Sequence, residues 1–316
     1  MVSRARLLGT VAVIGVVVAL VLAGGYLVAA SLRPPARSGL TVVATFYPIY
    51  EFASNVAGSK ANVSLLVPST VDVHSFEPTP SSVAVLAGAD VLAYNGAGLE
   101  PWIPSIVSAA DNPHLTIVDA SAGVATIPVP AEFQTGSNQT LDPHVWLDPV
   151  LAQQQVANIL NGLVAADPAD AAYFTANAHA YEAKLGLLDA EARNLTATTA
   201  TRDFVTFHEA FGYFAREYGL TQIPIGGPFE EDPTPAEIQA VVDAVHANHL
   251  CYVGYESLEN PALSQAVAGE TNATLIQLDP IEGLTATDQA LGKTYLIKMQ
   301  DDLTNLDLAL NHVGCS

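Results

Sequence analysis

From Leu40 onward, short apolar runs alternate with amphipathic segments, the pattern of a chain that builds parallel sheets covered by helices. The runs Leu40–Ala44, 63–67, 90–94 and 115–118 predict strands, and Tyr47–Ala57 and Pro80–Ala87 predict helices. Residues 121–141 are rich in Ala, Pro, Ser and Gln, lack a clear period and read as a loop. The segment 169–197 differs. Tyr173, Asn177, Tyr181, Leu185, Leu188, Ala192 and Leu195 recur every three or four residues behind Asp167-Pro168, which predicts one long amphipathic helix. At 1.5 Å per residue it would run about 40 Å. Alternation then resumes. Strands are expected over 204–207, 222–225, 251–255 and 274–278, and helices over 209–218, 235–248, 261–270 and about 292–311. The layout is an α/β fold of two small lobes with parallel sheets, 38–168 and 198–316, joined by the single helix 169–197.

The first 37 residues stand apart from that pattern. Arg4 and Arg6 precede an uncharged apolar run over 7–30, twenty-four residues long and sufficient to span a bilayer. Its length favours an uncleaved anchor, although Val28, Ala29 and Ala30 ahead of Ser31 offer a site for signal cleavage. No cysteine follows the run, which excludes a lipid anchor at that point. The chain has two cysteines, Cys251 and Cys315, which form either one disulfide in an oxidising compartment or two separate buried thiols. The body is therefore expected outside the cytoplasm. Residues 38–316 carry all 32 acidic residues and only 7 of the 11 basic ones, a formal charge of −25. That charge argues against nucleic acid as a partner.

Three of the eight histidines occupy unusual settings. His208 ends the apolar strand Phe204-Val205-Thr206-Phe207, and ligands of open α/β sheets bind at the carboxyl ends of strands. His74 lies in Asp72-Val73-His74-Ser75-Phe76-Glu77-Pro78, and His144 lies between the turns Asp142-Pro143 and Asp148-Pro149. Asp279 follows the strand Thr274-Leu275-Ile276-Gln277-Leu278, again at a strand end. Two candidates come from each lobe, so a cleft would bring them together. Three imidazoles and a carboxylate make a tetrahedral zinc site, and four protein ligands leave no position for an activated water. Such a closed shell favours binding over hydrolysis. His246 and His249 near a helix end, with His114, His179 and His312, read as surface residues, and Trp102 and Trp146 as packing near the cleft. Glu256, at the end of an apolar strand, is a candidate to orient a ligand from behind.

These motifs resemble the metal-binding solute-binding proteins of zinc and manganese ABC transporters. The resemblance runs through Thr45-Phe46-Tyr47-Pro48, the segment Asp72–Pro80, Asn95-Gly96-Ala97-Gly98-Leu99-Glu100-Pro101-Trp102, Asp142-Pro143-His144-Val145-Trp146-Leu147-Asp148-Pro149, Phe207-His208-Glu209-Ala210-Phe211-Gly212-Tyr213-Phe214 and Leu278-Asp279-Pro280. It implies a cluster A-I type fold, two lobes on one rigid helix, with the ion held by His74, His144, His208 and Asp279. It also implies a monomer that is no enzyme and needs no nucleic acid. That monomer would deliver Zn2+, and less readily Mn2+, to a membrane permease driven by an ATPase. Histidine at 208 matches the zinc type, where manganese-type members place a glutamate, and imidazole suits zinc as carboxylate oxygen suits manganese. Cys251 and Cys315 fall where some zinc-type members carry a disulfide. Two departures are Val73, where the family usually has proline, and a loop over 121–141 without histidines. The rival readings are a metal-dependent hydrolase, for which no H-E-x-x-H signature is present, and a surface adhesin of the same fold.

Overall fold

In the computed structural model, residues 39–130, 133, 139–229 and 233–314 are described. The apolar run 7–30, with its anchor or signal role, and Cys315 lie outside them. Among the described residues no helix is long and apolar enough to cross a membrane.

Two four-stranded sheets form among these residues, and all their strand pairs are parallel. The first holds β1 (Leu40–Ala44), β2 (Ala61–Leu65), β3 (Val91–Tyr94) and β4 (Thr116–Asp119) in the order β2-β1-β3-β4. The second repeats that order as β6-β5-β7-β8, from β5 (Asp203–His208), β6 (Thr221–Gly226), β7 (Tyr252–Tyr255) and β8 (Thr274–Gln277). Parallel strands need crossovers, and the helices that supply them cover both faces of each sheet. Alternate residues accordingly enter different cores. Val42 and Ala44 join a large cluster, while Val43 and Leu92 face a smaller one on the other side. In the second sheet Phe204 joins the large cluster and Val205 and Val253 the outer one.

In the first half the crossovers are α1 (Tyr47–Ala57), α2 (Pro80–Ala87) and α3 (Ile103–Ala110), and α4 (Pro149–Ala166) follows the last strand. The second half has α6 (Gly212–Tyr218), α7 (Pro235–Ala247), α8 (Ala262–Thr271), α9 (Ala286–Ala290) and α10 (Tyr295–Asn311). Between the halves lies α5 (Ala171–Ala197), 27 residues long. It packs on α1 and α4 of the first half and on α6 and α10 of the second. Its buried stripe is Phe174, Ala178, Tyr181, Leu185, Leu188, Ala192 and Thr196. The stripe thus enters through Phe174 and Ala178, whereas the sequence period pointed to Tyr173 and Asn177. Tyr173 lies half-exposed, and its hydroxyl accepts from the Ser59 backbone N–H.

Helices α3, α4 and α9 were not anticipated. Asp148-Pro149, which reads as a turn, is the start of α4: the Asp148 carboxylate accepts from the Val150 N–H at 2.8 Å, and Pro149 occupies the first helical position. At the far end of the chain, Leu250 pairs with Val313 and the Gly314 N–H donates to the His249 carbonyl at 2.9 Å. The tail thereby runs beside the buried Cys251.

Candidate metal centre

The carboxyl ends of the strands in both sheets supply the site. The loop after β2 carries His74, and Asp72 shapes it: one carboxylate oxygen accepts from the His74 N–H at 2.7 Å and the other from the Ser75 N–H at 3.0 Å. The long loop after β4 carries His144, where the same device recurs. Asp142 Oδ1 accepts from the His144 backbone N–H at 2.9 Å and also from the ring Nδ1 at 2.8 Å. His208 is the last residue of β5, the strand at which the order of the second sheet reverses. Glu256, one residue beyond neighbouring β7, meets His208 Nδ1 with its Oε1 at 2.7 Å. That oxygen also accepts from the His208 backbone N–H at 3.2 Å. An ionised carboxylate only accepts, so with Asp142 and Glu256 charged the proton of each ring sits on Nδ1 and Nε2 is left free to meet the other donors.

There the two Nε2 atoms stand 3.0 Å apart. Glu282, in the turn after β8, brings Oε1 to 2.9 Å from His74 Nε2, 3.2 Å from His144 Nε2 and 3.6 Å from His208 Nε2. One ligand atom from each of His74, His144, His208 and Glu282 lies within 4.8 Å of the others. Four donors at zinc bond lengths of about 2.0–2.1 Å in a tetrahedron would be about 3.3 Å apart. The observed spacings bracket that value, so the donor set fits a small tetrahedral ion.

Burial makes the electrostatics severe. His208 is fully buried, which pushes its pKa down to about 3; His144 and His74 add to the effect and Glu282 opposes it. For His144 burial pulls the same way, but its bonds to Asp142 and Glu282 outweigh it and hold the pKa above the ordinary value. Burial would raise Glu282, yet the imidazoles of His74 and His144 hold it well below the usual carboxylate range. Glu256 sits well above that range because of burial and the nearby Glu282 and Asp279 charges.

Asp279, the fourth candidate from the sequence, stands apart from this group. It does not join the cluster. Its Oδ2 accepts from Lys298 Nζ at 2.7 Å, from Gln277 Nε2 at 3.1 Å and from the Ser257 hydroxyl. Its Oδ1 accepts from the Ile281 N–H at 2.9 Å, and both Asp279 and Lys298 are buried. A carboxylate already neutralised by a buried ammonium is poorly placed to bind a second cation. Glu282, three residues on, is the acid that stands beside the three histidines. The strand-end rule stopped at the first acid after β8; the only sequence signal for Glu282 was a second acid three residues later. The five remaining histidines, at 114, 179, 246, 249 and 312, are exposed. Trp146 is fully buried beside His144, with ring centroids 5.1 Å apart, and Trp102 packs edge-on to Phe76.

A family model described as ZnuA, zinc-uptake complex component A, periplasmic, matches residues 42–309. The chain belongs to this family. Membership places it among zinc-uptake receptor proteins rather than enzymes. The chain is 34% identical over 275 residues to the high-affinity zinc uptake system protein ZnuA of Bacillus subtilis, with 84% of this chain and 86% of that protein covered. The crystal structure of Zn(II)-bound AdcA from Streptococcus pneumoniae aligns with a TM-score of 0.76 at 32% identity. That alignment covers 88% of this chain but 59% of AdcA, so the chain spans about three-fifths of that relative's length. A laminin-binding protein of Streptococcus agalactiae, described as bifunctional with adhesin and metal-transporting activity, aligns with a TM-score of 0.77 at 30% identity. It is covered over 86% of this chain and all of that one.

Proposed function

We propose that the protein captures Zn2+ between its two lobes, 38–168 and 198–316, with helix 169–197 as their common spine. In this reading His74, His144, His208 and Glu282 are the ligands. It is held on the outer face of the membrane by the segment 7–30, uncleaved, and hands its cargo to an ABC permease with its ATPase. The convergence of three Nε2 atoms and one carboxylate oxygen from loops of both sheets carries this reading. Three nitrogen donors and one oxygen favour zinc over manganese, which prefers more oxygen. All four donors come from the protein, which suits a carrier better than a hydrolase that must bind an activated water. The export reading is supported by the tail that brings Gly314 next to His249: we propose that Cys251 and Cys315 form the disulfide that pins it.

The test is elemental analysis of the protein purified without chelators, with titration of the stripped form. One equivalent of zinc, retained against manganese, is the expected result. His208→Ala should lower zinc affinity by more than the roughly 10–100-fold that an orienting partner contributes. Wild-type protein that ignores zinc, or a His208→Ala variant that binds it unchanged, would overturn the assignment.

A further inference from the structure

Glu282 is aimed by an unusual piece of backbone. The residue before it, Ile281, is fully buried and has φ of 59°, a left-handed conformation that a β-branched side chain strongly disfavours. Such strain persists only where the surroundings over-determine it. Part of the restraint is local, since Asp279 Oδ1 accepts from the Ile281 N–H at 2.9 Å. The rest comes from the other half of the molecule. Trp146 Nε1 donates to the Pro280 carbonyl at 2.7 Å, and the Leu284 N–H donates to the Ser69 carbonyl at 2.8 Å. Between those two ties, a Cβ added at Gly283 would collide with the Ser69 carbonyl oxygen. Trp146 itself belongs to the single helical turn Val145–Leu147 that directly follows His144. It is locked there by an edge-on contact with Phe46, 4.8 Å between centroids, and by the Tyr295 hydroxyl, which donates to its carbonyl.

We propose that Trp146 is a positioning residue for Glu282, and this rests on the four-ligand zinc reading above. Its indole N–H holds the Pro280 carbonyl and so keeps Ile281 in the left-handed conformation that points the Glu282 carboxylate at the histidines. The same short turn thus presents His144 from one half and fixes the acid supplied by the other. Completing the coordination shell and bringing the halves together become one event.

The test is a double-mutant cycle on zinc affinity, measured in the full-length protein by competition with a chromophoric chelator. Trp146→Phe keeps an aromatic ring and removes the donor; it should weaken zinc binding about tenfold, the size expected for one buried hydrogen bond. In a Glu282→Ala background the same substitution should change affinity by less than about twofold, because its effect passes through the missing carboxylate. A loss of equal size in both backgrounds, or no loss beside wild type, would overturn the role of Trp146. Should Trp146→Phe fail to fold, Gly283→Ala displaces the same turn from Ser69 with Trp146 intact and goes through the same cycle with the same expectations. Failure of the zinc site itself would look different: wild-type protein would take up no zinc in the first place.

Discussion

Asp279 and Glu282 are three residues apart and meet different partners, so under the proposed reading their substitutions should separate cleanly. Asp279→Ala leaves the Lys298 ammonium buried without its 2.7 Å partner. Breaking a buried pair on one side costs about 3–5 kcal/mol of stability, which urea unfolding of the metal-free protein will show. Glu282→Ala should cost far less stability and most of the zinc affinity. The reverse outcome, a stable Asp279→Ala protein blind to zinc, would restore Asp279 as the ligand. Behind the proposed ligands, Glu256→Ala removes the carboxyl group that meets the His208 ring and should lower zinc affinity roughly 10–100-fold. Protons compete with zinc for imidazole. His144 titrates above its ordinary value and His208 only near 3, so acidification charges His144 before His208. Affinity should therefore fall as the pH drops below the raised pKa of His144, by about one log unit per pH unit for each proton displaced. A flat profile from chelator competition would contradict this. The three histidines were legible in the sequence because each sits at a strand end or between turn-forming Asp residues. Glu282 was not, because its orientation depends on the positive φ of Ile281, which no local pattern of an isoleucine announces.

Among the elements, α4 shows how tightly the first half is assembled. Gly162 faces β4, and a Cβ there would collide with the Val118 side chain. Gly162→Ala should gain up to about 1 kcal/mol in helix propensity and lose about 1–3 kcal/mol to overpacking. We expect the second effect to win, as a lower urea midpoint at unchanged slope; a stabilised variant would mean that α4 can lift away from the sheet. The same helix explains why it escaped the sequence pattern. Its buried face includes Gln155 and Gly162 among Ala152, Val156, Ile159 and Leu163, which blunts the apolar period. The Gln155 amide is buried because it donates to Asn95 Oδ1 at 2.9 Å and to the Ser121 hydroxyl at 3.1 Å, contacts visible only in three dimensions. By contrast α5, both parallel sheets and the positions of nearly all strands were readable, since continuous apolar strands and a clean three-four repeat are local signals.

For the molecule as a whole, an ion that ties loops of both halves should act as a staple on folding. A ligand present at a thousand times its dissociation constant adds about 4 kcal/mol, and a chain of this size gains roughly 2–4 °C per kcal/mol. Calorimetry should therefore show melting about 8–16 °C higher with zinc than after chelation, and an unchanged midpoint would mean that the ion does not bridge the halves. The distances of Glu282 Oε1 from the three imidazoles, 2.9 Å to His74 at the shortest and 3.6 Å to His208 at the longest, carry one more consequence. A cluster so tight has no room for an ion that keeps its water shell. Magnesium, far more abundant, surrenders water reluctantly and favours oxygen, so the proposed site would disfavour it through the cost of stripping it bare, before any preference among nitrogen donors is exercised.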